Sequence, residues 1–175
     1  MKGMKLAACA VTTGIVCAMA AAAAGAATMR EVDGWLASMK NVILMPSPSC
    51  TPRTSCAQQY VRIAGTGISG WIDPTLVDHG LLQNQQEVML VPVLYGHGVA
   101  ATLVLTRLGG RTRFVRLIPS RNQLVDVLFI DGAILVRTSI YKANDEDGYP
   151  SGFHYERDTL RGMTLVKLNQ YDTKR

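Results

Sequence analysis

Five arginines concentrate in one predicted hairpin and its exit, and they carry the clearest functional chemistry of this chain. They are Arg107, Arg111, Arg113, Arg116 and Arg121. No acidic residue occurs between Glu87 and Asp126 to balance them. By strand alternation Arg111 and Arg113 share one face and Arg116 takes the other, so the cluster is expected to wrap around the hairpin. Because a guanidinium pairs bidentately with carboxylate or phosphate, the cluster predicts binding to an acidic protein or an anionic polymer. The alternative is a solvated edge strand whose charges prevent aggregation.

The residue types used in catalysis and metal binding occur without the spacing that such sites need. His79, His97 and His154 fall on separate predicted elements, so a zinc site would require distant residues to converge. The chain has no Gly-x-Ser-x-Gly nucleophile motif. The acidic loop at 144–148 lacks oxygen ligands at both ends of a calcium loop. These observations favour a non-enzymatic protein with no cofactor and no metal. A site converging on His97, His154 and Asp126 is the alternative, in an envelope enzyme or a small-ligand carrier.

Two cysteines, Cys50 and Cys56, lie in the short loop CTPRTSC. In an oxidising compartment a pair at this spacing most often forms a local disulfide. A redox couple or half of a metal site is the alternative, although the pair lacks the two-residue spacing and nearby histidines typical of those sites. We therefore predict a structural disulfide between Cys50 and Cys56.

The elements that position these residues are predicted to be mostly strands. An apolar stripe through Val32, Leu36 and Met39 indicates an N-terminal helix that ends near Lys40. Asp73-Pro74 predicts a short helical turn, since Asp caps a helix start and Pro fits its first position. From Gln86 onward the pattern is strands and tight turns, and the strands are expected at 87–95, 99–108, 111–118, 123–130, 133–141, 153–157 and 163–168. Asp131-Gly132 is a strong hairpin turn because both residue types tolerate positive φ.

The fold class that follows is β-rich α+β, an antiparallel meander of about seven strands with an N-terminal helix. Val88–Leu94 and Val125–Ile130 are almost continuously apolar, which predicts central strands buried on both faces. The N-terminal helix is expected to cover one of those faces. An open sheet and a partly closed barrel both remain compatible with the pattern.

Residues 1–27 have the layout of a cleavable secretory signal, with Lys2 and Lys5 ahead of an alanine-rich apolar run and small residues before Thr28. A retained membrane anchor and a lipoprotein signal are the alternatives. Residues 28–175 then form a single exported domain. Cleavage removes two of the 18 basic residues and none of the 13 acidic ones, so the formal charge falls from +5 to +3.

Together these features predict a periplasmic, non-enzymatic binding protein, of the kind that inhibits or gives immunity to an envelope enzyme; secretion beyond the envelope is the alternative. The expected partner is a macromolecule of the envelope. Nucleic acid is not expected, because the protein is exported and only Phe114 interleaves with the arginines. Membrane contact is expected only through an uncleaved signal.

Cleavage of the signal can be tested together with the disulfide. Protein from the periplasmic fraction should begin at Thr28, or at Ala27 if cleavage falls one residue earlier. Its intact mass should lack the N-terminal segment and also the two hydrogens lost on joining Cys50 to Cys56. Full-length protein recovered from the cytoplasm would contradict the prediction.

Overall fold

The computed structural model of this protein describes residues 28–37, 39–45, 59–96, 98–120, 125–146 and 149–174. The segment 1–27, the pair Cys50 and Cys56, His97 and Arg121 lie outside these ranges. The expected signal peptide and disulfide therefore stay predictions.

The described residues form one α-helix and eleven strands in two antiparallel sheets. Helix α1 covers Met29–Leu36, and the first sheet contains β1 (Val42–Met45), β2 (Gln59–Ile63), β3 (Ile68–Ile72), β4 (Asp78–Leu81), β5 (Glu87–Tyr95), β6 (Gly98–Leu108) and β7 (Arg111–Pro119). The second sheet contains β8 (Val125–Ile130), β9 (Ala133–Ile140), β10 (Gly152–Arg161) and β11 (Thr164–Lys174). The β-rich class and the N-terminal helix are confirmed, and β5–β11 are the predicted seven-stranded meander. The meander divides into two sheets between β7 and β8, and it does not form a closed barrel.

Helix α1 begins at a capped end and packs one face against the first sheet. The Thr28 hydroxyl accepts a hydrogen bond from the Glu31 backbone N–H at 3.3 Å, which satisfies a donor that the helix leaves open. Its buried face consists of Val32, Trp35 and Leu36. The helix ends four residues before Lys40, because the Met39 N–H bonds the Leu36 carbonyl and turns the chain toward β1. Met39 still joins the core beside the helix.

Strands β5 and β6 are buried on both faces, as the apolar run 88–94 predicts. Met89 and Leu105 lie in a core under α1, whereas Leu90 and Val104 lie in a second core between the two sheets. Pro92 tolerates this central position because β4 pairs with β5 only at 87–90 and β3 pairs with it only at Leu94. Pro92 has no backbone N–H, but neither β3 nor β4 pairs with β5 at this residue, so no hydrogen bond to those strands is lost.

The short helical turn predicted at Asp73-Pro74 forms over Pro74–Leu76, and strand β4 follows it. One local expectation was wrong. The run 125–130 is not central: β8 is an edge strand, and Leu128 and Ile130 are exposed.

The turn at 82–86 ties the two sheets together. The Asn84 side-chain amide donates to the Leu160 carbonyl at 2.6 Å, and the Gln86 amide donates to the Gly162 carbonyl at 2.6 Å. The Gln83 N–H donates to the Gly132 carbonyl at 3.0 Å. The sheets are thus joined by directional hydrogen bonds as well as by apolar packing, which fixes their relative position.

Gly70 is required where β3 crosses β5. A Cβ at this position would overlap the Leu94 carbonyl oxygen, a backbone atom that cannot move aside cheaply. We expect Gly70→Ala to lower the free energy of unfolding by about 2 kcal/mol or more, measured by chemical denaturation. Gly34→Ala is the matched control, since a Cβ there meets nothing within 4 Å and alanine favours a helix by roughly 0.5–1 kcal/mol. Equal effects of the two substitutions would contradict this account.

Candidate functional site

A β-bulge in β7 places three of the predicted arginines on one face of the first sheet. Opposed residues of antiparallel strands share a face, and the bulge leaves one extra residue on β7 between Phe114 and Arg116. The opposed pairs are Arg111 with Leu108, Arg113 with Thr106, and Arg116 with Val104. The partners alternate along β6, so all three arginines lie on the face toward the second sheet. The expectation that Arg116 takes the opposite face from Arg111 and Arg113 was wrong, because it assumed unbroken alternation.

Arg107 lies on the other face and is occupied within the molecule. Its Nη1 is 3.2 Å from Glu87 Oε2, and its guanidinium carbon is 4.6 Å from the centroid of the Trp35 ring. The two contacts hold the guanidinium over helix α1, and Glu87 balances its charge. The Arg107 guanidinium is therefore already engaged within the protein and does not offer an open site for an anion.

Arg111 and Arg113 are the exposed members of the cluster that have no acidic partner among the described residues. Together with Gly34 of α1, both residues line a depression of about 610 Å³ at the end of the β6–β7 hairpin. Arg107, Gly110 and Thr112 complete the lining. The unbalanced positive charge of this cluster is thus restricted to two side chains beside a recess.

Asp158 is the least expected ionisable group, since it is only 1% exposed. Neither carboxylate oxygen has a hydrogen-bond partner within the part of the chain that the structure describes. The pKa of Asp158 is raised to about 6. Burial is the largest cause and the negative charge of Glu156 is the next, whereas the positive charges of Lys167 and Arg116 lower this pKa. Arg116 therefore lies close enough to a buried acid to act on its protonation, which sets it apart from Arg111 and Arg113.

The face of β10 and β11 that bears Asp158 also carries paired charges. His154 Nδ1 is 2.6 Å from Asp172 Oδ1, and Lys167 Nζ is 2.6 Å from Glu156 Oε2. The expected strand at 153–157 stopped one residue before Asp158, because consecutive charged residues resemble the end of a strand. The alternation of Asp158 with Leu160, which is fully buried, is the signal that could have located it.

The polar residues of the alternative site are not brought together. Asp126 accepts from Arg137 Nε at 2.9 Å, and Arg137 also packs on Phe153. His154 lies opposite Thr138, which lies opposite Val125, so the neighbouring residue Asp126 occupies the other face of the second sheet. His97 lies outside the described residues.

The acidic loop uses its first carboxylate to organise the backbone. Asp145 accepts hydrogen bonds from the Lys142 N–H at 2.7 Å, the Ser151 N–H at 2.8 Å and the Ser151 hydroxyl at 2.6 Å. The Ser151 hydroxyl and the Lys142 N–H lower the pKa of Asp145. This carboxylate closes a loop between β9 and β10.

A second cavity, of about 530 Å³, lies at the opposite end of β6. The described residues that line it include Ser69, Tyr95 and Ser120, with no carboxylate, imidazole or amine among them. No group of three or more His, Cys, Asp or Glu residues in the described ranges is arranged to hold a metal ion. No helix within those ranges is long and apolar enough to span a membrane.

Comparison with protein-family models, with curated proteins and with solved structures finds no match to this chain.

The raised pKa of Asp158 makes stability depend on pH. The folded state binds this proton more tightly than the unfolded state, whose carboxyl has the ordinary pKa of 3.8. The stabilisation is therefore full below pH 4 and is lost as the pH rises through 6, by roughly 3 kcal/mol at most. We expect Asp158→Asn to flatten this fall in the free energy of unfolding, measured by denaturant titration at several pH values.

Glu156→Gln provides a graded comparison. It removes a negative charge that raises the pKa of Asp158, so the fall with pH should become smaller without disappearing. An Asp158→Asn protein with the same pH dependence as the wild type would show that another group is responsible.

Proposed function

We propose that this protein is an exported, non-enzymatic binding protein that contacts an acidic partner protein of the cell envelope through the β6–β7 hairpin. The role that suits such a binding protein is inhibition of an envelope enzyme or immunity to one. The observation that carries the proposal is the state of Arg111 and Arg113. Both are exposed, and neither has an acidic partner among the described residues, whereas Arg107 is paired with Glu87 and the charge of Arg116 acts on Asp158.

The chemistry of these two arginines supports a protein as the partner. Arginine is enriched at protein interfaces because its planar donors pair with carboxylates in a fixed geometry. The adjoining recess can receive a side chain from the partner, and its wall at Gly34 has open space where a Cβ would stand.

The compartment follows from the predicted signal peptide. Removal of residues 1–27 would release the domain into the periplasm, where envelope enzymes are accessible and where a Cys50–Cys56 disulfide is stable. The +3 charge of the mature domain would assist encounter with an acidic partner at low ionic strength.

An envelope enzyme or a ligand carrier remains the alternative function, and the geometry gives it less support. His154 and Asp126 face opposite sides of the second sheet. The cavity near Tyr95 has space for a small molecule, but the described residues around it provide no carboxylate or imidazole for acid–base chemistry.

Charge reversal tests the proposal. The double variant Arg111→Glu/Arg113→Glu should reduce partner capture from an envelope extract by about tenfold or more at low salt, because two attractive contacts become repulsive. Capture by the wild type should also weaken as salt rises, since exposed charges are screened. The measurement is quantitative mass spectrometry of the captured proteins, followed by binding of the purified partner.

Lys40→Glu/Arg62→Glu is the matched control. Both residues are exposed, lie at the β1–β2 end of the first sheet, opposite to the β7 edge, and give the same change in net charge. Equal loss in the two double variants would mean that only net charge matters, and unchanged capture by the hairpin variant would overturn the proposal.

A further inference from the structure

Strand β7 is a free edge of the first sheet in the region of Arg111 and Arg113. Among the strands that the structure describes, the order ends at β7, and β6 is the neighbour with which it pairs. The outward N–H and C=O groups of such an edge can accept a further strand. The bulge after Phe114 interrupts regular pairing, so the straight part of the edge is 111–114.

The other described edges differ in how their charges are balanced. On β8, Asp126 is paired with Arg137, and on β11, Lys167 is paired with Glu156. Strand β1 is a short edge of four uncharged residues, and on β4, which pairs with β5, Asp78 accepts a hydrogen bond from the Phe129 N–H of β8. Among the described edges, β7 is therefore the one where charged side chains of a single sign are left without opposite neighbours.

The spacing of the two arginines suits an extended acidic chain. Arg111 and Arg113 are alternate residues on one face, about 7 Å apart along the strand. An added strand has the same period of two, so carboxylates at its alternate positions would face both guanidinium groups at once.

We propose that β7 binds an extended acidic segment of the partner protein by strand addition, with carboxylates at alternate positions paired to Arg111 and Arg113. This inference rests on the proposed function and names the form in which the partner is recognised. Backbone hydrogen bonds to residues 111–114 supply one part of the affinity, and the two ion pairs select acidic sequences. The bulge between Phe114 and Arg116 limits the recognised length.

Synthetic peptides test the mode of binding by fluorescence anisotropy with the full mature domain. A labelled peptide of alternating Glu and Thr should bind at low salt, and a block peptide of the same composition should bind roughly tenfold more weakly. Two N-methylated forms of the alternating peptide complete the set, one methylated at every Glu and the other at every Thr. Because alternate N–H groups of a strand point to opposite edges, only one of the two methylated peptides should lose binding.

The outcomes separate this inference from the function on which it rests. Equal binding of the alternating and block peptides, or equal binding of the two methylated forms, would overturn strand addition and leave an arginine surface that recognises charge alone, as an anionic polymer would require. Absence of peptide binding, while partner capture remains sensitive to Arg111→Glu/Arg113→Glu, would also overturn it. Partner capture that is insensitive to that double variant would instead overturn the proposed function.

Discussion

The burial of β5 and β6 on both faces is the constraint on which the rest of this structure depends. Met89, Val91 and Leu103 require a cover on one side, and Val88, Leu90 and Val104 require another on the opposite side. Full burial of one such side chain contributes about 1.5–3 kcal/mol, so exposing a few of them would cancel the net stability of a typical domain. Helix α1 and the second sheet are therefore both required as covers for β5 and β6.

The same constraint explains which parts of the fold could be predicted. The run 88–94 indicated a central strand because every side chain in it is apolar, whichever face it occupies. The run 125–130 is apolar except at Asp126, yet β8 is an edge strand with Leu128 exposed, because lateral position in a sheet is not encoded within a strand. The turn at Asp131-Gly132 was predictable from local chemistry alone, and both residues have positive φ.

The candidate site was predictable in its residue types but not in its geometry. Composition located the arginines, whereas the bulge between Phe114 and Arg116 depends on the fit of β7 to β6. The sequence did not indicate a buried acid at Asp158 for a related reason. Its burial arises from packing of the second sheet on the first, whose strands lie far from Asp158 in the sequence. Period-two reasoning holds only while the alternation is unbroken, and a bulge at Arg157/Asp158 interrupts the β10–β11 ladder as well.

These two irregularities link the surface charge of the protein to its internal stability. The bulge in β7 turns Arg116 toward the face where Asp158 is buried, and Lys167 lies directly opposite Asp158 on β11. Both cations lower the pKa of Asp158. They therefore reduce the free-energy cost of ionising this carboxyl group in its buried position. The positive charge of Arg116 therefore acts on a buried group, and Glu87 neutralises Arg107 on the opposite face. Among the described arginines of the hairpin, Arg111 and Arg113 are the pair that is exposed without an acidic neighbour. This alternating pair defines a short, directional recognition surface.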